Sequence, residues 1–341
     1  EWGEAIARES EALDAALGGR EIGALVDLPP MLDPSARLEM RMLAAFGPIA
    51  SAYPAAFATL MPRMVRLSVQ HGVADDSAEC MVMHGCLHGF SGRYVEAAAW
   101  SRLAMALVTQ RGPERARPAI DMCFGCWISH WTESLDVSVE FAQRALTGGI
   151  EVGRTNWAGY GLMNIPWLKM AAGTELRELA RETGELIAVS RDQLAFDDCT
   201  NICRVGLDVM RELAGEPDRE DKAVLEGLLA GLAHYELALT PLRVLRGQAA
   251  WVLGDVELAR EELAAASTTL HVSMALICVS EYHLYAGLVA AVDGAAEGLR
   301  EHVAAMAVWS ASCPTNHRYK WLLLSAELAA REGRTQEAGA L

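Results

Sequence analysis

The sequence predicts an all-α fold, a superhelical solenoid of degenerate helical hairpins. Three stretches share one pattern, in which a turn glycine follows a small residue by seven positions and alanines lie five and twelve positions beyond that glycine. The composition is typical of helices, because 52% of the 341 residues are hydrophobic whereas runs of Val, Ile and Thr are scarce. Short turns separate amphipathic segments throughout, without a long linker.

The repeated pattern is that of antiparallel helices that touch closely and turn sharply. Its copies are Gly85, Gly92, Ala97 and Ala104, then Gly247, Gly254, Ala259 and Ala266, and finally Ala326, Gly333 and Ala338. The pattern is similar to that of tetratricopeptide (TPR) hairpins. The turn glycines lie 162 and 79 residues apart. Neither distance is a multiple of the period of about 34 residues, so the repeat is degenerate.

Residues 1–32 are expected to form an N-terminal helix and a link. Three helices precede the repeats, with predicted spans 2–17, 34–52 and 54–71. Gly18 and Gly19 end the first of them. Asp33 is a natural N-cap for the second, and Pro34 suits its first turn.

The repeats divide into two segments, residues 33–215 and 216–341, which are expected to be continuous. After the helices at 34–52 and 54–71, the predicted helices of the first segment are 75–90, 95–110, 113–131, 135–148, 156–172, 174–195 and 197–213. Those of the second are 221–237, 242–253, 256–270, 272–292, 295–310 and 316–331. The candidate break is Gly215-Glu216-Pro217, because glycine and proline both stop helices.

Charge and cysteine usage limit the classes of partner. The net charge of −16 argues against nucleic acid or an anionic membrane, since both require a basic face, and it favours a basic peptide. The sequence contains no run of eighteen apolar residues, so it predicts no membrane span. The eight cysteines lie within helical apolar patterns, which indicates reduced, buried thiols and a cytoplasmic location.

A concave groove is the expected binding surface, because the first helix of each hairpin lines it. Counting back from the turn glycines gives the residues that face this groove, except in the second helix pair, which is phased on the small residues Cys126, Ser138 and Ala145. The candidate partner-binding residues are Glu79, Phe90, Cys123, Trp127, His130, Trp131, Gln248, Trp251, Lys320, Glu327 and Arg331. The same count places Pro241 and Val244 beside Gln248. Trp127, Trp131 and His130 would form an aromatic anchoring surface. Core packing between helices is the competing interpretation, because large aromatic residues are usually buried.

Two further clusters carry weaker chemical signals. A mixed Cys/His metal site would draw on Cys80, His84, His88, Cys123, Cys126 and His130. The helical phasing places Cys80, His84 and His88 towards the partner helix, but Cys123 and His130 towards the groove. Buried structural cysteines and histidines are therefore the preferred interpretation. Near the last long helix, Thr315 or Asn316 is expected as a cap. Arg318 and Lys320 in its first turn could hold an anion, with a solvated first turn as the simpler alternative.

No catalytic motif is present in the sequence. It lacks a phosphate loop with lysine, a Gly-x-Ser-x-Gly elbow and a His-Glu-x2-His helix. The acidic pair Asp75-Asp76 precedes a helix and indicates capping. No enzymatic activity and no cofactor are therefore expected. An all-helical enzyme, or a small-molecule receptor with a closed central cavity, stays the alternative, because carboxylates from separate helices can converge without a local motif.

Several strings resemble the helical-repeat region of large bacterial multi-domain signalling proteins. These strings are Asp33-Pro34 with the 37–43 helix, 64–72, 85–94, His130-Trp131, Glu133-Ser134-Leu135, Ala158-Gly159-Tyr160 and 309–334. In that family a Ser/Thr-kinase-like domain and an AAA/STAND ATPase precede the helical region, and sensor and histidine kinase domains follow it. The resemblance spans roughly residues 25–341.

The resemblance implies a non-catalytic interaction and sensor-relay module in signal transduction. Its partners would be a protein or peptide, including neighbouring ATP-binding domains of the same polypeptide, and homodimerisation stays open. No catalytic residue is implied within this region. A ligand in the groove would favour one curvature of the helical stack over another.

Overall fold

The computed structural model describes residues 2–50, 53–112, 114–216, 219–273 and 275–341. This part of the chain is all-α and contains no β-strand, only an isolated bridge between Pro30 and Val73. Its α-helices are α1 (Trp2–Leu17), α2 (Pro34–Ala50), α3 (Pro54–His71), α4 (Ser77–Phe90), α5 (Tyr94–Arg111), α6 (Arg117–Cys123), α7 (Leu135–Glu151), α8 (Thr155–Ala171), α9 (Leu176–Val189), α10 (Asp197–Leu213), α11 (Lys222–Gly231), α12 (Glu236–Val252), α13 (Val256–Ser267), α14 (Cys278–Val292), α15 (Ala296–Ser312), α16 (Pro314–Arg331) and α17 (Thr335–Ala340).

The helices form a solenoid of hairpins in two layers, as predicted. The inner layer consists of the even-numbered helices α4 to α16, and each of them packs against the next. Each inner helix is also paired with the odd-numbered helix that follows it, so helices α5 to α17 form the outer layer. Helices α1 and α2 pack against α3, and α3 packs against α4. These three helices therefore cover the N-terminal end of the stack.

The turn glycines confirm the predicted hairpin pattern. Gly92, Gly254 and Gly333 directly follow helices α4, α12 and α16, with φ angles of 75°, 85° and 77° that favour glycine. The structure adds Gly294, with φ of 73°, at the α14–α15 turn. Gly254, Gly294 and Gly333 thus recur at intervals of 40 and 39 residues, longer than the TPR period of about 34.

Small residues inside the hairpins let the paired helices approach closely. A Cβ atom at Gly85 would lie 3.0 Å from the carbonyl oxygen of Ala97, and one at Gly247 would lie 2.8 Å from Cγ of Leu263. Ala97 and Ala259 have no exposed surface. Larger side chains at these positions would push the two layers apart, since protein interiors are close-packed.

Some predicted boundaries are wrong. Helix α12 begins at Glu236 rather than at residue 242, because Pro241 lies in the helix interior and does not end it. Helix α14 begins only at Cys278, six residues later than predicted. Helix α6 continues as a π-helical turn, Phe124–Ile128, and a 3₁₀ turn, Ser129–Trp131. The predictions at Ala52, Pro113, Pro217 and Met274 lie outside the described residues.

The core runs through the solenoid and crosses the predicted segment boundary. One large apolar cluster extends from Leu13 to Ile277, and a second joins Trp131 to residues of the last three inner helices. The division into residues 1–32, 33–215 and 216–341 stays a prediction. Within the described ranges, no helix has the length and apolar character needed to cross a membrane.

Candidate functional site

The last hairpins of the chain fold back onto its first half. We call this contact the seam; it joins residues 130–135 to residues 309–317. Asn316 makes three of its hydrogen bonds: the amide Nδ2 donates to the carbonyl oxygens of His130 and Glu133, each at 2.8 Å, and Oδ1 accepts from the Leu135 N–H at 3.2 Å. Ser312 Oγ donates to the Trp131 carbonyl oxygen at 2.7 Å. The seam therefore pairs backbone groups that would otherwise be buried without partners.

An aromatic stack centred on Trp131 fills the seam. The Trp131 ring is stacked between Tyr94, with centroids 5.0 Å apart, and His317, at 5.5 Å. Trp309 lies 5.2 Å from Trp131, and its indole N–H donates to the Tyr94 hydroxyl at 2.9 Å. Four residues from helices distant in sequence thus share one buried cluster, which stabilises the curvature of the solenoid.

The histidines of the seam are neutral at physiological pH. Burial lowers the pKa of His130 to about 3, with a further contribution from His317. Burial, followed by the charge of Lys320, lowers the pKa of His317 to about 3. His317 Nε2 lies 3.3 Å from the His130 carbonyl oxygen, while neither ring nitrogen of His130 has a hydrogen-bond partner among the described residues.

The seam corrects the predicted aromatic groove. Cys123, His130, Trp131 and Lys320 have no exposed surface, so none of them can contact a ligand in this conformation. Trp131 and His130 are covered by the chain's own α15–α16 connection, which sequence phasing cannot reveal because the covering residues lie about 180 positions away. Core packing, the competing interpretation, is the arrangement observed for these residues.

The remaining candidate residues do not form one surface. Glu79 and Gln248 line two separate cavities, described below. Phe90 and Trp127 are half-buried and pack against each other, with ring centroids 6.2 Å apart. Trp251 is half-buried in a cluster with Ala250 and Leu263. Glu327 is half-buried on α16, and Arg331 is exposed in its last turn. A partner-binding role for these last residues stays a prediction.

The cysteines and histidines considered for metal are held by other contacts. Cys80 Sγ donates to the Ser77 carbonyl oxygen at 3.0 Å, and Cys123 Sγ lies 3.8 Å from Met83 Sδ. His84 and His88 meet at 3.1 Å through their Nε2 atoms, and Cys126 is buried. No three potential ligands come together as a metal-binding group anywhere in the described residues.

The start of α16 is not a free anion site. The helix begins at Pro314 and its N-cap is Cys313, so Thr315 and Asn316 lie inside the first turn and the prediction that one of them caps the helix is wrong. The Asn316 side chain is instead used in the seam. Lys320 Nζ is bound by Glu281 and by Ser280 Oγ at 3.0 Å. Arg318 is exposed.

One cavity opens on the inner surface of the solenoid, and we call it the aromatic cavity. It encloses about 250 Å³ and is lined by inner helices α8, α12, α14 and α16 and the residues next to them. Its aromatic walls are Trp167, Tyr285 and Tyr319. The predicted groove residues Pro241, Val244 and Gln248 line it as well, so counting back from Gly254 identified one of its walls.

The only carboxylate in the lining of the aromatic cavity is Glu281, within the described residues. Its Oε1 binds Lys320, which is fully buried, while the Glu281 side chain is 14% exposed. Oε2 has no hydrogen-bond partner in the described part of the chain. Burial, followed by the Glu281 charge, raises the pKa of Tyr285 to about 12 and also raises that of Tyr319. Both rings therefore stay neutral at physiological pH.

A second cavity, which we call the arginine cavity, lies in the N-terminal half. It encloses about 390 Å³ between α2, α3 and α4, with contributions from Arg115 and Arg154. Three arginines, two acidic residues and three methionines are among its lining residues: Arg41, Arg115, Arg154, Asp76, Glu79, Met61, Met64 and Met83. Arg154 holds Glu79 through two hydrogen bonds of 2.9 and 3.3 Å.

Sequence reasoning missed most residues of both cavities. Trp167, Glu281 and Tyr319 come from three different inner helices, and Arg41 and Arg115 lie before and after the hairpin that carries Glu79. A helical phase defines one face of one helix, so it cannot show which faces meet across the solenoid. No protein-family model, no curated protein and no solved structure matches this chain.

Proposed function

We propose that this chain is a non-catalytic interaction and sensor-relay module that binds a basic segment of a protein or peptide in the aromatic cavity. The supporting observation is that Glu281 presents an unpaired carboxylate oxygen in a cavity walled by Trp167, Tyr285 and Tyr319. Neutral aromatic faces attract ammonium and guanidinium groups, and a carboxylate supplies the matching charge. The net charge of −16 would speed the encounter with such a ligand.

The cavity and the seam share a chain of polar contacts, which supplies the relay. Glu281 binds Lys320, and Lys320 Nζ donates to Ser280 Oγ at 3.0 Å. Ser280 Oγ lies 3.1 Å from His317 Nδ1, and His317 reaches the His130 carbonyl oxygen. A basic ligand on Glu281 competes with Lys320 for the carboxylate, so binding shifts the contacts that hold the seam.

The setting of the module is part of the proposal. Eight reduced, buried cysteines in the described chain suit a cytoplasmic protein. The proposed relay would pass a change in curvature to neighbouring domains, as in the STAND-type signalling ATPases and histidine kinases that the sequence resembles. A small-molecule receptor is a second candidate, because each cavity is of a size suited to a compact ligand rather than to a folded partner.

A selection from a random peptide library against the whole protein tests the binding function. Peptides that contain Lys or Arg beside apolar residues are expected to be enriched. The selected peptide should bind the Tyr319→Ala variant and the Glu281→Gln/Lys320→Met double variant at least about tenfold more weakly. The double variant removes both members of the buried ion pair, so no uncompensated charge stays in the core.

Two matched variants separate the cavity from general electrostatics. Lys320→Met alone leaves Glu281 without its internal cation and should tighten binding of the basic peptide. Glu297→Gln, which removes an exposed carboxylate on α15, should leave binding unchanged. Selected peptides without Lys or Arg, or equal losses in the Glu297→Gln and Glu281→Gln/Lys320→Met variants, would contradict the proposal.

A further inference from the structure

The arginine cavity has a chemistry opposite to that of the aromatic cavity. We propose that it binds a small molecule that carries an oxyanion, a carboxylate or a phosphate, on an apolar body. This site is independent of the proposed peptide binding, because the two cavities share no lining residue. They lie at opposite ends of α8: Arg154 precedes its first residue and Trp167 lies near its last turn, roughly 20 Å apart at 1.5 Å of rise per residue.

The charges of the arginine cavity favour an anion. Three arginines face two carboxylates, so the lining carries an excess of positive charge in a chain whose net charge is −16. Arg154 and Glu79 already neutralise each other, with side chains 20% and 29% exposed. Arg41 and Arg115 are exposed and have no ion-pair partner within the described ranges. These two guanidinium groups are free to hold an oxyanion through paired N–H donors.

The remaining lining suits an apolar body next to the charged group. Met61 and Met64 on α3 and Met83 on α4 line the cavity together with Ala44 and Ala45 on α2. Methionine side chains are flexible and polarizable, so they adapt to ligands of different shape. A cavity of about 390 Å³ has the size of a small-molecule site, and its mixture of apolar surface with a few charged groups is typical of one.

The acidic residues set the balance of charge in the cavity. Asp76 is half-buried, and burial, together with the charge of Asp75, raises the pKa of its carboxyl. Arg41 and Arg154 act against this rise, which places both cations close to Asp76. Removing an acidic side chain should therefore strengthen anion binding, whereas removing an arginine should weaken it. A general loss of structure would weaken binding in every variant.

Calorimetric titration of the whole protein tests this site with three probes: octanoate, octyl phosphate and octylamine, each below its critical micelle concentration. Octanoate or octyl phosphate, or both, should bind, and the stronger of the two identifies the preferred head group. Octylamine, with the same chain and the opposite charge, should not displace the bound anionic probe. The Arg41→Gln/Arg115→Gln double variant should weaken binding of the anionic probe by at least about tenfold.

Matched variants make the result decisive. Arg37→Gln, one turn from Arg41 on the same helix and outside the lining, should bind the anionic probe as the unmodified chain does. Glu79→Gln, which releases Arg154, should bind it more tightly. No binding of either anionic probe, displacement of the anionic probe by octylamine, or unchanged binding in the Arg41→Gln/Arg115→Gln variant would overturn the inference. The peptide selected on the aromatic cavity should bind this double variant normally, so failure of one site is distinguishable from failure of the other.

Discussion

The two cavities differ most in how far their charged side chains are buried and paired. In the aromatic cavity, the cation Lys320 is fully buried behind Glu281, whose side chain is only 14% exposed. In the arginine cavity, Arg154 and Glu79 are 20% and 29% exposed, and Arg41 and Arg115 reach solvent without an ion-pair partner in the described part of the chain. The first ion pair is part of the core of the solenoid, whereas the charges of the second cavity are available to a ligand.

This difference shows that the total charge of a chain says little about its individual sites. A net charge of −16 favours a basic partner, and the aromatic cavity fits that expectation. The arginine cavity has the opposite character on the same molecule. The difference between the cavities also shows that similar ion pairs can contribute differently to stability. Removal of one member of a buried pair leaves an uncompensated charge in the core.

The sharpest test of this contrast is to remove one carboxylate from each cavity. Glu281→Gln should lower the free energy of unfolding by about 3 to 5 kcal/mol, because the fully buried Lys320 loses its counter-charge and keeps, among the described residues, a hydrogen bond to Ser280 and a contact with the Tyr319 ring. Glu79→Gln should lower it by less than about 1 kcal/mol, because Arg154 can still be hydrated. Urea unfolding followed by circular dichroism measures both changes.

The Glu281→Gln/Lys320→Met variant is the control for this test. It should recover most of the stability lost in Glu281→Gln, since an apolar side chain replaces the buried charge. Equal destabilisation by Glu281→Gln and Glu79→Gln would mean that the two ion pairs are not different in kind, and the comparison would fail.

Acid should destabilise the seam next to the aromatic cavity. The pKa of His130 and that of His317 are each lowered to about 3 in the folded chain, against the ordinary 6.5. The unfolded chain therefore binds more protons between these values, so stability falls as the pH drops below 6.5. From pH 7 to pH 5 each histidine should cost about 2 kcal/mol.

Replacement of a seam histidine checks this assignment. His317→Gln cannot be protonated, so its stability should fall by about 2 kcal/mol less than that of the unmodified chain over the same pH range. The measurement is the urea midpoint at pH 7 and pH 5 for both proteins. An identical loss in the two proteins would show that other groups, such as His84 or His283, carry the acid sensitivity.

The layered solenoid could be predicted from the sequence because its signals are local. Gly92, Gly254 and Gly333 each lie within twelve positions of the small residues of their pattern, and all three have the positive φ that the turn requires. The helices on both sides of Gly294 were predicted, but not as a copy of the repeat, because Leu299 and Met306 stand where the pattern has alanines, although Gly287 keeps the small residue seven positions before the turn.

The seam and the cavities could not be predicted, because they depend on the curvature of the whole stack. The sequence placed Trp131 in the groove, yet it is fully buried, and the residues that cover it, Trp309 and His317, come from the far end of the chain. Gln248 was placed on the inner surface together with Pro241 and Val244, which do line a cavity. Small rotations between successive hairpins add up along the stack until its last helices meet Trp131. No local sequence pattern specifies the total rotation.

Within the seam, Asn316 should have a moderate effect. Asn316→Ala removes the donor to the carbonyl oxygens of His130 and Glu133 and the acceptor for the Leu135 N–H. We expect a loss of about 2 kcal/mol, because buried polar groups lose their partners. Hydrogen exchange at the Leu135 amide should become faster, while exchange around the arginine cavity in α3 and α4 should stay unchanged. Equal acceleration in both regions would mean that the seam is not a separate unit.

The smallest expected effect concerns two tyrosine hydroxyls, one in the seam and one in the aromatic cavity. Tyr94→Phe removes the acceptor of the buried Trp309 indole N–H, which is bound at 2.9 Å, and should cost about 1 kcal/mol. Tyr319→Phe removes a hydroxyl from a residue that is 55% exposed, so stability should change by less than about 0.5 kcal/mol.

Tyr319→Phe should also keep its affinity for the basic peptide, because cation–π attraction uses the ring face and not the hydroxyl. A peptide affinity that falls in Tyr319→Phe as far as in Tyr319→Ala would assign recognition to the hydroxyl and not to the aromatic wall.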